Sequence, residues 1–311
     1  MRIAIIGLGD IAQKAYLPVI TAIEEIELVF CTRNTDTLEH LSAKYRVPNT
    51  ATDIQQVIDL GVDAAFIHTA TESHVKIAEQ LIRSGIHVYV DKPISYDYEE
   101  SLRLAALAEE KGVILMVGFN RRYAPMVAVM KEQNDRRFIM LQKNRKFSPD
   151  YARRFIYDDF IHVVDTIRFL AGGEITDVRF SPYVQEGKLY QAVLHFEGNG
   201  FVCTGIMNRD SGANEEVLEV ICPGNKWVVD GLNSTVHYAG GEERHLKFND
   251  WDPVLYRRGF VSIIQHFIDC VREGLEPEIS VSDALKSHEI CEMIVKQAEA
   301  NGGDPLPDGL I

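Results

Sequence analysis

Basic charge is in short supply in this 311-residue sequence: 32 Lys and Arg stand against 46 Asp and Glu, a formal net charge of −14. That balance leaves no footprint for nucleic acid or for an anionic membrane surface, so neither is expected as a partner. Long apolar runs are missing too, and none approaches the roughly 20 residues of a membrane-spanning helix. The five cysteines, Cys31, Cys203, Cys222, Cys270 and Cys291, form no C-x-x-C pair and leave one over. They support neither a disulfide framework nor a zinc site and read as reduced core residues. There is no internal repeat and no low-complexity tract. A glycine-rich loop starts so near the first Met that a signal peptide finds no room, and a cytoplasmic location is expected. Hydrophobic residues at 46% and charged residues at 25% suit a soluble globular chain, and the length suits two domains.

The chain opens on its most informative stretch. Ile3–Ile6 is an unbroken, β-branched apolar run, the pattern of a parallel strand buried on both faces. Gly7, Leu8 and Gly9 follow directly, then Asp10, Ile11 and Ala12 begin a helical pattern. Gly7 permits a tight turn, Gly9 offers no Cβ where a pyrophosphate must approach, and small Ala12 lets the helix lie close on the strand. The helix amides then face the phosphates, where the dipole favours negative charge. A strand before and a helix after raise this from a loose glycine motif to an expected dinucleotide site. Next, Glu27–Cys31 reads as a strand ending in Thr32, Arg33 and Asn34, where the adenosine ribose is met. No acid stands there to favour NAD. Arg33 suits a 2′-phosphate, with Thr32 and Asn34 hydrogen-bonding beside it, so NADP is the preferred cofactor and NAD the alternative.

Helices over 37–45 and 53–60 lead to a buried strand at 64–67, which runs into His68, Thr69 and Ala70. A helix from His74, a strand at 88–90, Asp91-Lys92-Pro93, a helix over 98–111 and a strand at 113–117 complete an alternating β/α order. That order implies right-handed crossovers and a parallel sheet with its ligand loops at the strand carboxyl ends. Gly7-Leu8-Gly9, Thr69 with His74 five residues on, Asp91-Lys92-Pro93 and Gly118-Phe119-Asn120-Arg121-Arg122 together resemble the Gfo/Idh/MocA oxidoreductases. The phrases at 7–15 and 117–122 are most similar to the MviM-type, virulence-factor-like branch. Asp91 stands where that family usually has Glu, and Ala70 where it usually has Pro. The resemblance also implies a cis bond between Lys92 and Pro93.

After residue 122 the pattern changes. A short helix from Pro125 and a strand over 137–145 precede a helical stretch, 157–170, on which Asp158, His162 and Asp165 recur at i, i+4 and i+7 on one face. Strands at about 178–184, 189–196, 201–209, 217–222 and 226–230 follow, with hairpin turns between, then helices over 259–272 and 281–299. A tail rich in Gly, Pro and Asp is expected to be frayed. The fold expected is an α/β Rossmann domain with a parallel sheet (1–122) and an α+β domain with an open, mostly antiparallel sheet (123–311). The resemblance implies a homodimer or homotetramer through that second sheet.

Oxidising an alcohol with nicotinamide requires a base for the hydroxyl proton and a donor to polarise the forming carbonyl. His162 titrates near neutrality and suits the base. Asp158, one turn earlier, suits orienting the ring, and Lys92 suits hydrogen bonding to the reacting oxygen. By the resemblance, these three occupy the family's catalytic positions. Asp159 competes with Asp158 for the orienting role, and bulky Phe160 replaces the glycine common two residues before the histidine. The cofactor contacts expected are Gly7 to Ala12, Thr32, Arg33, Asn34, His68, Thr69, Ala70, His74, Asp91, Lys92 and Asn120, while Lys143 reads as a solvated strand residue. No metal is expected. The function expected is NAD(P)-dependent oxidoreduction of a sugar, polyol or related small molecule. The alternative is an NADP(H)-binding regulator without turnover.

Overall fold

A computed structural model describes residues 1–307. The described residues divide into two units, residues 1–118 with 260–286, and residues 119–259 with those from 287 onward. In the first, six strands lie in the order β3-β2-β1-β4-β5-β6, all parallel. They are β1 (Arg2–Ile6), β2 (Glu27–Cys31), β3 (Asn49–Ala51), β4 (Ala64–Ile67), β5 (His87–Val90) and β6 (Leu115–Val117). This is the dinucleotide-binding order, with its switch point between β1 and β4. Every residue of β4 is buried, as a strand covered on both faces requires. Among these strands, only the three-residue β3 lacks a signal in the apolar pattern.

The second unit holds an eight-stranded sheet in the order β14-β13-β12-β11-β7-β10-β9-β8. Its strands are β7 (Phe138–Asn144), β8 (Ile175–Gln185), β9 (Lys188–Gly198), β10 (Phe201–Asn208), β11 (Glu215–Cys222), β12 (Asn225–Asp230), β13 (Ser234–Ala239) and β14 (Glu242–Lys247). Among its described strands, only β7 and β10 pair in parallel. The sheet is therefore open and mostly antiparallel, as expected, and longer by the hairpin β13–β14. Every residue of β14 is exposed, so no apolar alternation marks it in the sequence.

The helix Ile161–Leu170 lies on β7 and β10, and Gly205 of β10 makes the close approach possible. A Cβ there would stand 2.7 Å from Val163 Cγ1 and 3.0 Å from Ile167 Cδ1. The described end of the tail is docked, since the Asp304 amide donates to the Gly187 carbonyl (2.8 Å) and Leu306 is buried. The part expected to be frayed beyond residue 307 lies outside the described residues.

The helix Phe260–Glu273, placed by the sequence in the second domain, clusters with the first unit. Its apolar face explains this: Phe267 is fully buried, with its ring 5.0 Å from Phe66 and 5.6 Å from Tyr89. Truncating so large a buried aromatic leaves a cavity, and Phe267→Ala should lower unfolding free energy by about 3–5 kcal/mol. Denaturant titration of the variant checks this, and a loss under about 1 kcal/mol contradicts the packing assigned to the helix.

Candidate functional site

In the first unit the glycine loop opens a cleft of about 690 Å³, lined by Ile6 to Gly9, Cys31 to Arg33, Thr52 to Gln55, His68 to Ala70 and the helix face at Lys76 and Gln80. Gly7 has φ +87°, and a Cβ on it would lie 2.7 Å from the Thr69 amide nitrogen and 2.8 Å from the His68 carbonyl carbon. Only glycine lets the ends of β1 and β4 approach this closely. A Cβ on Gly9 would meet nothing within 4 Å, which leaves room for a ligand against the backbone. The helix that follows, residues 10–20, passes through a π-turn at Ala12–Tyr16, a feature frequent at functional sites.

Three buried polar atoms on the wall of this cleft have no hydrogen-bond partner among the described residues: Nδ1 and Nε2 of His68, and Oγ1 of Thr69. Burial, with His74 nearby, pulls the His68 imidazole down to about 3, so it is neutral at physiological pH. Its ring stacks on Tyr16 with centroids 3.7 Å apart. Thr32 and Arg33 line the same cleft, whereas Asn34 caps the helix Thr35–Tyr45 by accepting from the Thr37 amide (2.9 Å). Asp53, not singled out in the sequence, also lines it, with its carboxylate accepting from the Gln56 amide (2.9 Å). Asp10 is exposed and paired with Lys14 (2.7 Å), and Ile11 is exposed, while Ala12 is buried.

Lys92 follows β5 on a loop fixed from several sides. Its peptide bond to Pro93 is cis, as expected. The buried His74 ring spans two carbonyls, Pro93 O at 2.9 Å from Nδ1 and Thr69 O at 3.0 Å from Nε2. It ties the loop after β4 to the loop after β5 from behind the cleft wall. The Asp91 carboxylate accepts from the Lys92 amide (2.8 Å) and from the Tyr16 hydroxyl, which also meets the Tyr89 hydroxyl (3.1 Å). A Cβ on Gly118 would stand 2.8 Å from the Tyr89 hydroxyl, 3.2 Å from Asp91 Oδ1 and 3.3 Å from the Tyr16 hydroxyl, so glycine is required under this cluster too.

In the second unit, residues 152–170 form a continuous helical stretch with a π-turn at Phe155–Phe160. The widened turn rotates Asp158 relative to the residues after it, so the simple i, i+4, i+7 face of the sequence is not kept. Asp158 is 38% exposed, with Arg154 Nε at 4.0 Å, and His162 is half-buried. Asp165 is instead buried and committed, accepting from Arg122 Nε (2.9 Å) and Ser287 Oγ (2.8 Å). Asp159 is taken as well, by Lys143 and by Arg145 Nε (2.8 Å), which leaves Asp158 as the more accessible of the two adjacent carboxylates. Lys143 is not solvated, as its position in a strand suggested, but 1% exposed. It faces the helix side of the sheet, directly across from Glu216 on β11. The Asn120 amide donates to the Arg258 carbonyl (2.8 Å), and Arg121 forms a two-bonded pair with Glu216 (2.6 and 2.8 Å), both within this unit.

These pairs set the protonation of the unit. Burial opposes ionisation of Glu216, but the charge and hydrogen bonds of Arg121 outweigh it and hold the carboxyl down at about 2. Asp159 is likewise held well below the carboxylate range against its burial, by Lys143 and Arg145. Burial and the neighbouring Arg121 draw Lys143 down to about 7, against the pull of Asp159 and Glu216. Both carboxyls ionise at lower pH folded than unfolded, so their stabilisation is complete above the ordinary carboxylate range and disappears as pH falls from about 4 towards 2. Denaturant unfolding followed across that window should show a steep loss of stability, reduced in Arg121→Met. An equally steep loss in the variant contradicts the assignment to this pair.

Comparison with known proteins agrees with this geometry. Residues 1–119 match the model of an oxidoreductase family with an NAD-binding Rossmann fold, and residues 125–239 match that of a YceM-like C-terminal domain. The crystal structure of a Gfo/Idh/MocA family oxidoreductase from Vibrio cholerae is 33% identical, covering 97% of this chain and 99% of that one, with a TM-score of 0.92. A dehydrogenase (MviM) from Clostridium difficile is 31% identical over 96% of this chain and 99% of its own, with a TM-score of 0.91. The scyllo-inositol 2-dehydrogenase (NAD(+)) of Bacillus subtilis is 25% identical over 93% of this chain and 92% of its own length. With 33% identity over nearly the whole of both chains and the family's own model matched at residues 1–119, the chain belongs to the Gfo/Idh/MocA oxidoreductases.

Proposed function

We propose that the protein is an NAD(P)-dependent enzyme that moves a hydride between the nicotinamide and a sugar, polyol or related hydroxy or carbonyl compound. The observation that carries the cofactor part is the trio of unpartnered buried atoms on His68 and Thr69, set in the cleft above an open Gly9. Burying such atoms without partners costs about 1–3 kcal/mol each, and ligand hydrogen bonds remove that cost. Gly7 to Ala12 take the pyrophosphate, with Thr32, Arg33 and Asn34 at the ribose end and Ala70, Asp91 and Asn120 among the further contacts. Bound nicotinamide supplies the hydride acceptor. His162 takes the hydroxyl proton, Asp158 orients and stabilises the charged imidazole, and Lys92 donates to the reacting oxygen as it gains carbonyl character.

The same reading carries a homodimer or homotetramer through the second unit's sheet. On the face away from the helix, Val193, Ile206, Val228 and Val236 are only half-buried. The scyllo-inositol relative supports the polyol class of substrate.

Two measurements test the reading. NADP(H) should bind more tightly than NAD(H), and Arg33→Ala should remove most of that preference, about 1–3 kcal/mol for a charge-assisted phosphate contact. Equal affinities of the unmutated protein for the two cofactors defeat the assignment to Arg33. Nicotinamide absorbance followed across a panel of sugars, polyols and their carbonyl forms should reveal turnover. His162→Ala should lower it by roughly 10²–10⁴ while cofactor affinity stays nearly constant. Cofactor binding without turnover of any compound would favour the regulator over the enzyme.

A further inference from the structure

Arg209 stands just past the end of β10, its amide donating to the Tyr190 carbonyl and its carbonyl accepting from the Ser148 amide (2.8 and 2.7 Å). Its guanidinium lies 5.0 Å from the ring centre of Phe155, in the π-turn that also carries Asp158. Nε and Nη1 are buried, and neither has a hydrogen-bond partner among the described residues. The ring face attracts the cation but leaves those N–H groups without an oxygen acceptor.

The neighbouring carboxylates do not fill the gap. Asp159 is engaged by Lys143 and Arg145, and Glu216 by Arg121. Asp150 and Asp158 share Arg154, at 3.7 and 4.0 Å. Four arginines, Arg121, Arg145, Arg154 and Arg209, together with Lys143, which burial draws down to about 7, thus stand with four carboxylates, Asp150, Asp158, Asp159 and Glu216. Arg145, Arg154 and Asp158 are 35%, 38% and 38% exposed, so a solute can reach the cluster. A half-buried guanidinium lacking an acceptor is costly unless a ligand anion completes it.

We propose that Arg209 recognises an anionic oxygen group, a carboxylate or a phosphate, on the substrate, which makes the substrate an acidic sugar or hydroxy acid. This specificity rests on the dehydrogenase reading for the role of the neighbouring Asp158, but the anion contact itself does not. Arg209 fixes one end of the substrate by a charge-assisted hydrogen bond, and neutral polyols lack the group that satisfies it.

Calorimetric titration of the full chain without cofactor tests the contact, with D-glucuronate and inorganic phosphate as anions and D-glucose as the neutral counterpart. At least one anion should bind more tightly than glucose, and the stronger of the two tells carboxylate from phosphate. Arg209→Gln should weaken that binding about tenfold or more, with Arg209→Lys between the two. Thermal unfolding controls for folding: without anion, Arg209→Gln should still melt cooperatively and only slightly below the unmutated protein, because what it loses is the contact with the Phe155 ring. Anion affinity equal to that for glucose, or unchanged by Arg209→Gln, overturns the proposal. Arg209-dependent anion binding supports it even if no acid is turned over, in which case the dehydrogenase reading alone fails. Efficient turnover of neutral polyols that Arg209→Gln leaves unaltered overturns the anion site and leaves that reading standing.

Discussion

The first unit depends on one close approach, that of the β1 end to the β4 end at Gly7. A side chain there would stand inside the contact distance of the Thr69 amide, and the φ of +87° would strain it as well. Because the strands come together so tightly, the loop beyond β4 brings His68 and Thr69 to the wall of the cleft that the glycine loop opens. The cofactor cradle and its unsatisfied polar wall are therefore two consequences of one packing constraint. His74 extends it to the loop bearing Lys92, through carbonyls at Thr69 and Pro93.

The second unit is organised by charge where a sheet of its kind is ordinarily organised by apolar packing. Lys143 and Glu216 occupy a cross-strand pair on the helix-facing side, and Arg121, Arg122, Asp159 and Asp165 fill the space that aliphatic side chains would otherwise take. Such pairs rarely stabilise a fold more than well-packed apolar residues would, but removing one partner costs about 3–5 kcal/mol. Their effect here is to fix which groups are spoken for. Asp159 and Asp165 are locked, and Asp158 and His162 are the more accessible polar groups on the same helical stretch.

Legibility in the sequence followed the physics of each element. The parallel strands and the glycine loop were readable because a strand buried on both faces has a distinct apolar run and because the turn demands glycine. The helix bearing Asp158 and His162 was readable by period, but its π-turn was not, since one extra residue in a turn leaves no compositional mark. The burial of Lys143 is not legible because alternation says which residues share a face and not which face is buried, and a lysine biases that choice towards solvent. The return of the Phe260–Glu273 helix to the first unit was equally hidden, because its partners Phe66 and Tyr89 lie some 200 residues earlier and an amphipathic face does not name what it packs against. Asp53 escaped notice since it comes from the neighbouring strand end, a position that only the sheet order reveals.

Asp91 shows how a departure from the family pattern is absorbed. Aspartate is one methylene shorter than the glutamate usual there, and a shorter side chain cannot reach as far from the same backbone. In this chain the partners come to it: the Tyr16 hydroxyl reaches the carboxylate from the helix after the glycine loop, and Tyr89 reaches Tyr16 from β5. Gly118 leaves the room in which all three meet. Burial pushes the Asp91 carboxyl up, and Lys92, His74 and the hydrogen bonds it accepts pull it back. The acid before Lys92 thus holds that residue's backbone, through the Lys92 amide at 2.8 Å. In this chain two tyrosines and a glycine, from three separate segments, converge on the shorter acid.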